Sequence, residues 1–210
     1  MSASGSLLAV PERESAAASF ADVSAAGDYV PLGAHLVGSV PLRGAEEVFR
    51  LLSDGLGDRL RRLPDGETGP RADWIVWQYP VLSSRPQFEV APPAPGSYRA
   101  LPRLRLRSEE EAQELRFESL GYAEAALASY TAFAPLKRDG VVPPGCRFQV
   151  CLPTPLAPVS AFVAAEDQAL VEPSYEAAMA KELQQILEGI PAEQLALQWD
   201  TNVEFGMLEG

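Results

Sequence analysis

The chain of 210 residues has one histidine, two cysteines and a shortage of positive charge. The cysteines, Cys146 and Cys151, fall in one predicted strand, GCRFQVC, where an odd separation points them to opposite faces and beyond disulfide reach. They read as buried small hydrophobes in a reducing compartment, and with His35 alone beside them they do not make a zinc site. A Ser-His-Asp triad is excluded as well, since His35 precedes Ser39 on the same strand and shares a face with it without the triad geometry. With 17 basic against 29 acidic residues the net charge is −12, which opposes binding to nucleic acid or to an anionic membrane surface. No apolar run approaches the roughly 20 residues that span a bilayer, and the first residues carry neither a basic n-region nor a long apolar h-region, so a cytoplasmic location is expected. No G-x-G-x-x-G or G-x-x-x-x-G-K-[ST] follows a predicted strand, which removes support for a nucleotide-binding sheet. Nor is there a repeat of fixed length.

What is present is an apolar content of 47%, enough for one sizeable core. Residues 1–30 are rich in Ala and Ser without a sustained period and are expected to form a mobile arm, leaving 31–210 as the folded domain. Residues 34–40 read as a strand closed by Pro41, followed by a helix with Val48, Leu52, Leu56 and Leu60 on one face. Residues 60–63 lead into the turn Pro64-Asp65-Gly66-Glu67, and 72–81 read as a helix disturbed by Pro80. The proline-rich stretch 83–106 fits an extended connection with a short hairpin. Ser108 and Glu111 form a capping box ahead of one long helix reaching about Phe133. A strand at 147–152 ends at Pro153-Thr154-Pro155. After a loop, a helix at 175–187 is entered through Pro173 and Ser174 and closed by Gly189 and Pro191, and a strand follows at 195–200. Alternation of strand and helix means a parallel sheet. The fold class is α/β, of (β/α)8 TIM-barrel type, here incomplete with about four parallel strands; a doubly wound sheet also satisfies the alternation.

Three apolar runs deliver polar groups at their C-terminal ends, where β/α barrels carry their sites. These are Gly38 and Ser39, then Glu67, then Asp200. Each has a plainer reading: Ser39 as the N-cap of the next helix, Glu67 with Asp65 and Arg71 as surface ion pairs, and Asp200 as a helix cap. His35 reads as a hydrogen-bonded rim or core residue. Arg103, Arg105 and Arg107 alternate along a strand, as a solvated face or as the best local basic patch for an acidic ligand tail.

These segments resemble the C-terminal barrel of cobalamin-independent methionine synthase, in the wider superfamily that includes uroporphyrinogen decarboxylase. HLVGSVP, with Gly38 and Ser39, looks like the T-x-I-G-S-F-P strand end of that family. The stretch from Asp65-Gly66-Glu67 through Arg71 and Asp73 looks like its H-G-E-x-x-R-x-D-M segment, and Gln198-Trp199-Asp200 looks like its Q-I-D-E-P-A strand end. The resemblance implies methyl transfer from a reduced folate, or a similar donor, to a thiol such as that of homocysteine, with zinc holding the thiol as thiolate. A thiol of pKa ~8.5 is mostly protonated at neutral pH until a cation binds it. Carried over, Gly38 and Ser39 would hold the amino-acid carboxylate, Glu67 and Asp200 its ammonium, and His35, Asp65, Arg71 and Thr154 would stand on the rim. The chain departs from the family at Asp65, at Thr201-Asn202-Val203, and at Pro153-Thr154-Pro155-Leu156, which replaces a tryptophan-bearing strand end. The family's zinc ligands lie on strands after the one matching residues 195–200. The expectation is therefore the N-terminal half of a barrel with an amino-acid pocket and no zinc ligands, inactive in isolation, whose open sheet edges are covered by a missing C-terminal half or a second copy. Two other readings stand beside it: a non-catalytic half-barrel binding or assembly protein, and a metal-free decarboxylase of the porphyrinogen type.

Overall fold

The computed structural model describes residues 32–92 and 101–209; the arm expected over residues 1–30 lies outside them. The strands are β1 (Arg62–Pro64), β2 (Phe88–Ala91), β3 (Arg103–Leu106), β4 (Arg147–Pro153) and β5 (Leu195–Asp200). The helices are α1 (Ala45–Leu56), α2 (Tyr79–Ser83), α3 (Glu109–Glu114), α4 (Tyr122–Arg138), α5 (Leu156–Phe162), α6 (Gln168–Gly189) and α7 (Asn202–Glu209). β1, β4 and β5 form a parallel sheet in that order, and β2 pairs antiparallel with β3 as the expected short hairpin. The molecule is thus a mixed α/β fold with three parallel strands, where about four were expected from the sequence.

The strand missing from that count is residues 34–40. It runs beside β1, bridged at Ala34 to Leu60 and tied at its far end by Val40 N–H to the Gly66 carbonyl at 2.8 Å, but no ladder joins the two points. Its middle carbonyls bond to side chains instead. Gln149 Nε2 donates to Leu36 O at 2.8 Å, the Cys151 thiol donates to Val37 O at 3.1 Å, and Gln198 Nε2 also donates to Val37 O. Pro64 adds to the effect, since it brings no N–H to β1.

Strand register sorts side chains by face. Leu63, Phe148, Val150, Leu152 and Leu195 are buried under the helices, while Gln149, Cys151, Ala196, Gln198 and Asp200 share the opposite face. Phe49 of α1, Phe133 of α4 and Phe148 of β4 meet edge-on or tilted at centroid distances of 5.3, 6.0 and 5.4 Å, fastening both helices to the sheet. Cys146 lies just before β4, fully buried; both cysteines are free, and burial pushes the Cys146 thiol up to about 11.

Several helices differ from their expected extent. The single helix from Ser108 to about Phe133 is two: Ser108 does cap α3, its Oγ accepting from Glu111 N–H, but the helix stops at Glu114 and α4 starts afresh after Gly121 at φ +85°. Between them Leu115, Phe117 and Leu120 turn inward to the core. Residues 72–81 form a 3-10 turn, Val76–Gln78, and then α2, in whose first turn Pro80 sits without cost. α6 begins at Gln168 and takes Pro173 into its interior, where the proline was expected to mark the entrance. α5 and α7 occupy stretches expected as loop or left unassigned. Among the described residues β5 is paired on one edge only, and no helix is long and apolar enough to cross a membrane.

Candidate ligand site at the strand ends

β1 runs into the turn Asp65-Gly66-Glu67. Gly66 has φ +81° and Glu67 has φ +48°, so the chain reverses within two residues and swings the Glu67 side chain back over the sheet. Asp65 is buried and braces this turn: its Oδ1 accepts the Glu67 N–H at 3.0 Å, while its Oδ2 accepts from Ser129 Oγ at 2.7 Å and from Arg71 at 2.5 Å. Asp65 and Arg71 are therefore a partly buried pair that shapes the turn. Glu67 takes no part in that pair and accepts a hydrogen bond from the Ser39 hydroxyl. Ser39 is not the cap of α1, whose N-cap is Gly44. Gly38 lets the Glu67 side chain approach closely, since a Cβ there would stand 3.2 Å from the Glu67 carboxylate and press it aside by a few tenths of an ångström.

These groups converge with Asp200 on one cavity of about 380 Å³, lined also by Trp74, Trp199 and Asn202. Asp200 Oδ1 accepts from Gln198 Nε2 at 2.9 Å, and the Trp74 side chain also hydrogen-bonds to Asp200. Burial pushes the Glu67 carboxyl above its ordinary value. The Ser39 hydrogen bond opposes that rise, and the negative charge of Asp200 adds to it. Burial likewise raises Asp200, against the hydrogen bonds from Gln198 and Trp74. Two carboxylates crowded in a half-buried cavity, with the Trp74 indole beside Asp200, form an electronegative pocket suited to a cationic group.

Of the residues singled out from the sequence, Gly38, Ser39, Glu67 and Asp200 come together. Asp65 and Arg71 lie behind them as supports. His35 is exposed and outside the cavity lining, and Thr154 bonds to Glu204 of α7, so neither is a rim residue of this pocket. Trp74 and Trp199 went unrecognised as lining residues; their one signal was an aromatic residue next to a charge at an element end. The three arginines of β3 and its margin do not form an anion patch. Arg103 donates to the Ser160 and Val163 carbonyls at the end of α5, Arg105 pairs with Glu166, and Arg107 holds the Pro86 carbonyl.

Zinc, which the resemblance implies, does not fit the residues present. Among the described residues no three His, Cys, Asp or Glu side chains stand together as a ligand set, and the Cys151 thiol beneath the cavity donates to a carbonyl while burial pushes it up to about 12. Compared with known protein families, with curated proteins and with solved structures, the chain matches none.

Proposed function

We propose that this cavity binds the amino-acid end of a small zwitterion, and that the chain is the amino-acid-binding part of a methionine-synthase-like barrel. One observation carries the reading: Ser39, Glu67 and Asp200, far apart in sequence, line a single cavity of about 380 Å³, which lies within the range of small-molecule sites. The arrangement of neighbouring segments supports the barrel. Residues 34–40, β1, β4 and β5 lie side by side in chain order, and the polar groups all stand at or just past the C-terminal ends of these segments.

In this reading the ammonium sits between Glu67 and Asp200, relieving their mutual repulsion, and the carboxylate is received by the backbone beside Gly38 and by the Ser39 hydroxyl, whose one proton turns from Glu67 to the ligand as the ammonium takes its place on Glu67. The Trp74 indole, held at Asp200, encloses the apolar part of the side chain. The acceptor class is then a thiol amino acid such as homocysteine. No step through zinc is assigned to these residues. Calorimetry of the purified chain with homocysteine and with methionine is expected to show saturable binding, and Glu67→Gln to weaken it by about tenfold or more, the scale of a lost charge-assisted hydrogen bond. Unaltered affinity in that variant would refute the assignment.

The raised carboxyls make a second expectation. Because folding raises both, the folded chain keeps its protons to higher pH than the unfolded chain does, so these two groups favour folding less as pH climbs through that interval. Ligand ammonium needs both carboxylates charged, so binding must release any proton held there. Affinity for the amino acid should accordingly fall as pH is lowered through the raised range of Glu67 and Asp200 and level off above it. Titrations in buffers of different ionisation enthalpy would count the proton released, and a pH-independent affinity across that range would contradict the placement of the ammonium.

A further inference from the structure

The opposite end of the same sheet carries the reverse charge. β1 and β4 pair in a register that sets Arg62 directly beside Arg147, on neighbouring parallel strands and on one face, where strand spacing is about 4.8 Å. Like charges opposed in this way destabilise a sheet unless something neutralises them. Arg61 stands next to the pair, its carbonyl accepting the Arg147 N–H at 3.0 Å. The three arginines line a cavity of about 360 Å³ together with Gly145 and Ala196. A Cβ on Gly145 would meet nothing within 4 Å, so the cavity is open on that side. No acidic side chain lines it, and among the described residues none of the three guanidinium groups forms an ion pair or a hydrogen bond. In a chain of net charge −12, with 29 acidic residues available, a concave cluster of three unneutralised arginines is not a consequence of composition.

We propose that this cavity is a binding site for the phosphate group of a small phosphorylated molecule. A carboxylate would balance one guanidinium, whereas a phosphate dianion offers several acceptor oxygens and more charge to planar forks approaching from different directions. The cavity exceeds the size of phosphate itself and leaves room for the organic remainder of a phosphate ester. β4 spans seven residues from Arg147 to Pro153, so the site lies about 20 Å from the carboxylate pocket at a rise of about 3.3 Å per residue. The two sites are independent, and occupancy of one does not require the other.

The test uses the full chain at low ionic strength, where surface attraction is least screened. Calorimetry and phosphorus NMR with inorganic phosphate and pyrophosphate should give saturable binding, with citrate as a carboxylate probe of comparable charge about tenfold weaker or worse. Arg62→Gln combined with Arg147→Gln should reduce pyrophosphate affinity by about tenfold or more, while Arg50→Gln on α1, whose side chain pairs with Glu46, should leave it unchanged. Because Arg62 and Arg147 are exposed, the double variant is expected to melt no lower than the parent when phosphate is absent. Ala196→Glu, which puts a carboxylate into the cavity, should weaken binding in the same way. Absence of saturable binding, equal affinity for citrate, or binding indifferent to both the double variant and Ala196→Glu would each overturn the proposal.

Discussion

Replacing Glu182 with alanine is expected to lower the unfolding free energy by about 3 kcal/mol, the sum of several buried donors losing a charged acceptor. Glu182 projects from α6 and is 2% exposed. Its Oε1 accepts the Leu120 N–H at 2.6 Å, the Gly121 N–H at 3.2 Å and the Ser119 hydroxyl at 3.0 Å, and its Oε2 accepts the Ala123 N–H at 2.6 Å. One carboxylate therefore caps the start of α4, at the end of the helix where the peptide dipoles favour negative charge. Alanine would leave the Leu120 and Ala123 N–H groups buried without that acceptor, while the Gly121 N–H keeps the Ser119 hydroxyl at 3.0 Å. Glutamine, which keeps one oxygen but brings an amide nitrogen among donors, should cost about half as much. Urea denaturation of the three proteins measures the difference. A loss under about 1 kcal/mol for the alanine variant would mean that water replaces the carboxylate.

Gly66→Ala should be comparably damaging, by about 3 kcal/mol, and should also abolish ligand binding at the carboxylate cavity. Two costs combine: a left-handed backbone angle that an L side chain resists by about 1–2 kcal/mol, and overpacking of about 1–3 kcal/mol. The backbone at Gly66 has φ +81°, and a Cβ there would stand 2.7 Å from Val48 Cγ2 and 3.1 Å from Val40 Cβ. Neither contact can yield easily, because Val48 is fully buried on α1 and Val40 is tied to the Gly66 carbonyl. Relief would have to come from the turn itself, displacing Glu67 from Ser39. A melting curve together with amino-acid titration distinguishes this from a purely local effect. An alanine variant that melts normally and still binds would show that the turn is softer than its geometry implies.

Where a signal was local, the sequence was enough to read it. The strand expected at residues 195–200 is β5, because an apolar run sits between Gly189-Ile190-Pro191 and a charged residue. Ser108 caps a helix as expected, since its partner, the Glu111 N–H, is one turn away. The end of that helix was misjudged because the group that restarts the chain at Gly121 is Glu182, some sixty residues further along. The alanine-rich stretch has no breaker strong enough to announce the interruption. Ladder formation failed in the same way at residues 34–40, where Gln149, Cys151 and Gln198 claimed the carbonyls that a neighbouring strand would have used.

Composition, charge and the short runs ending in Ser39, Glu67 and Asp200 were enough to establish an α/β chain with polar groups at the ends of its strands, because hydrophobic period and turn chemistry act over a few residues. Only the tertiary structure decided that those three groups share a cavity with Trp74 and Trp199, that His35 and Thr154 stand apart from it, and that Arg62 meets Arg147 at the other end of the sheet. Such pairings depend on strand register and on a left-handed Trp74 at φ +43°, and register is set by long-range packing that no local pattern encodes.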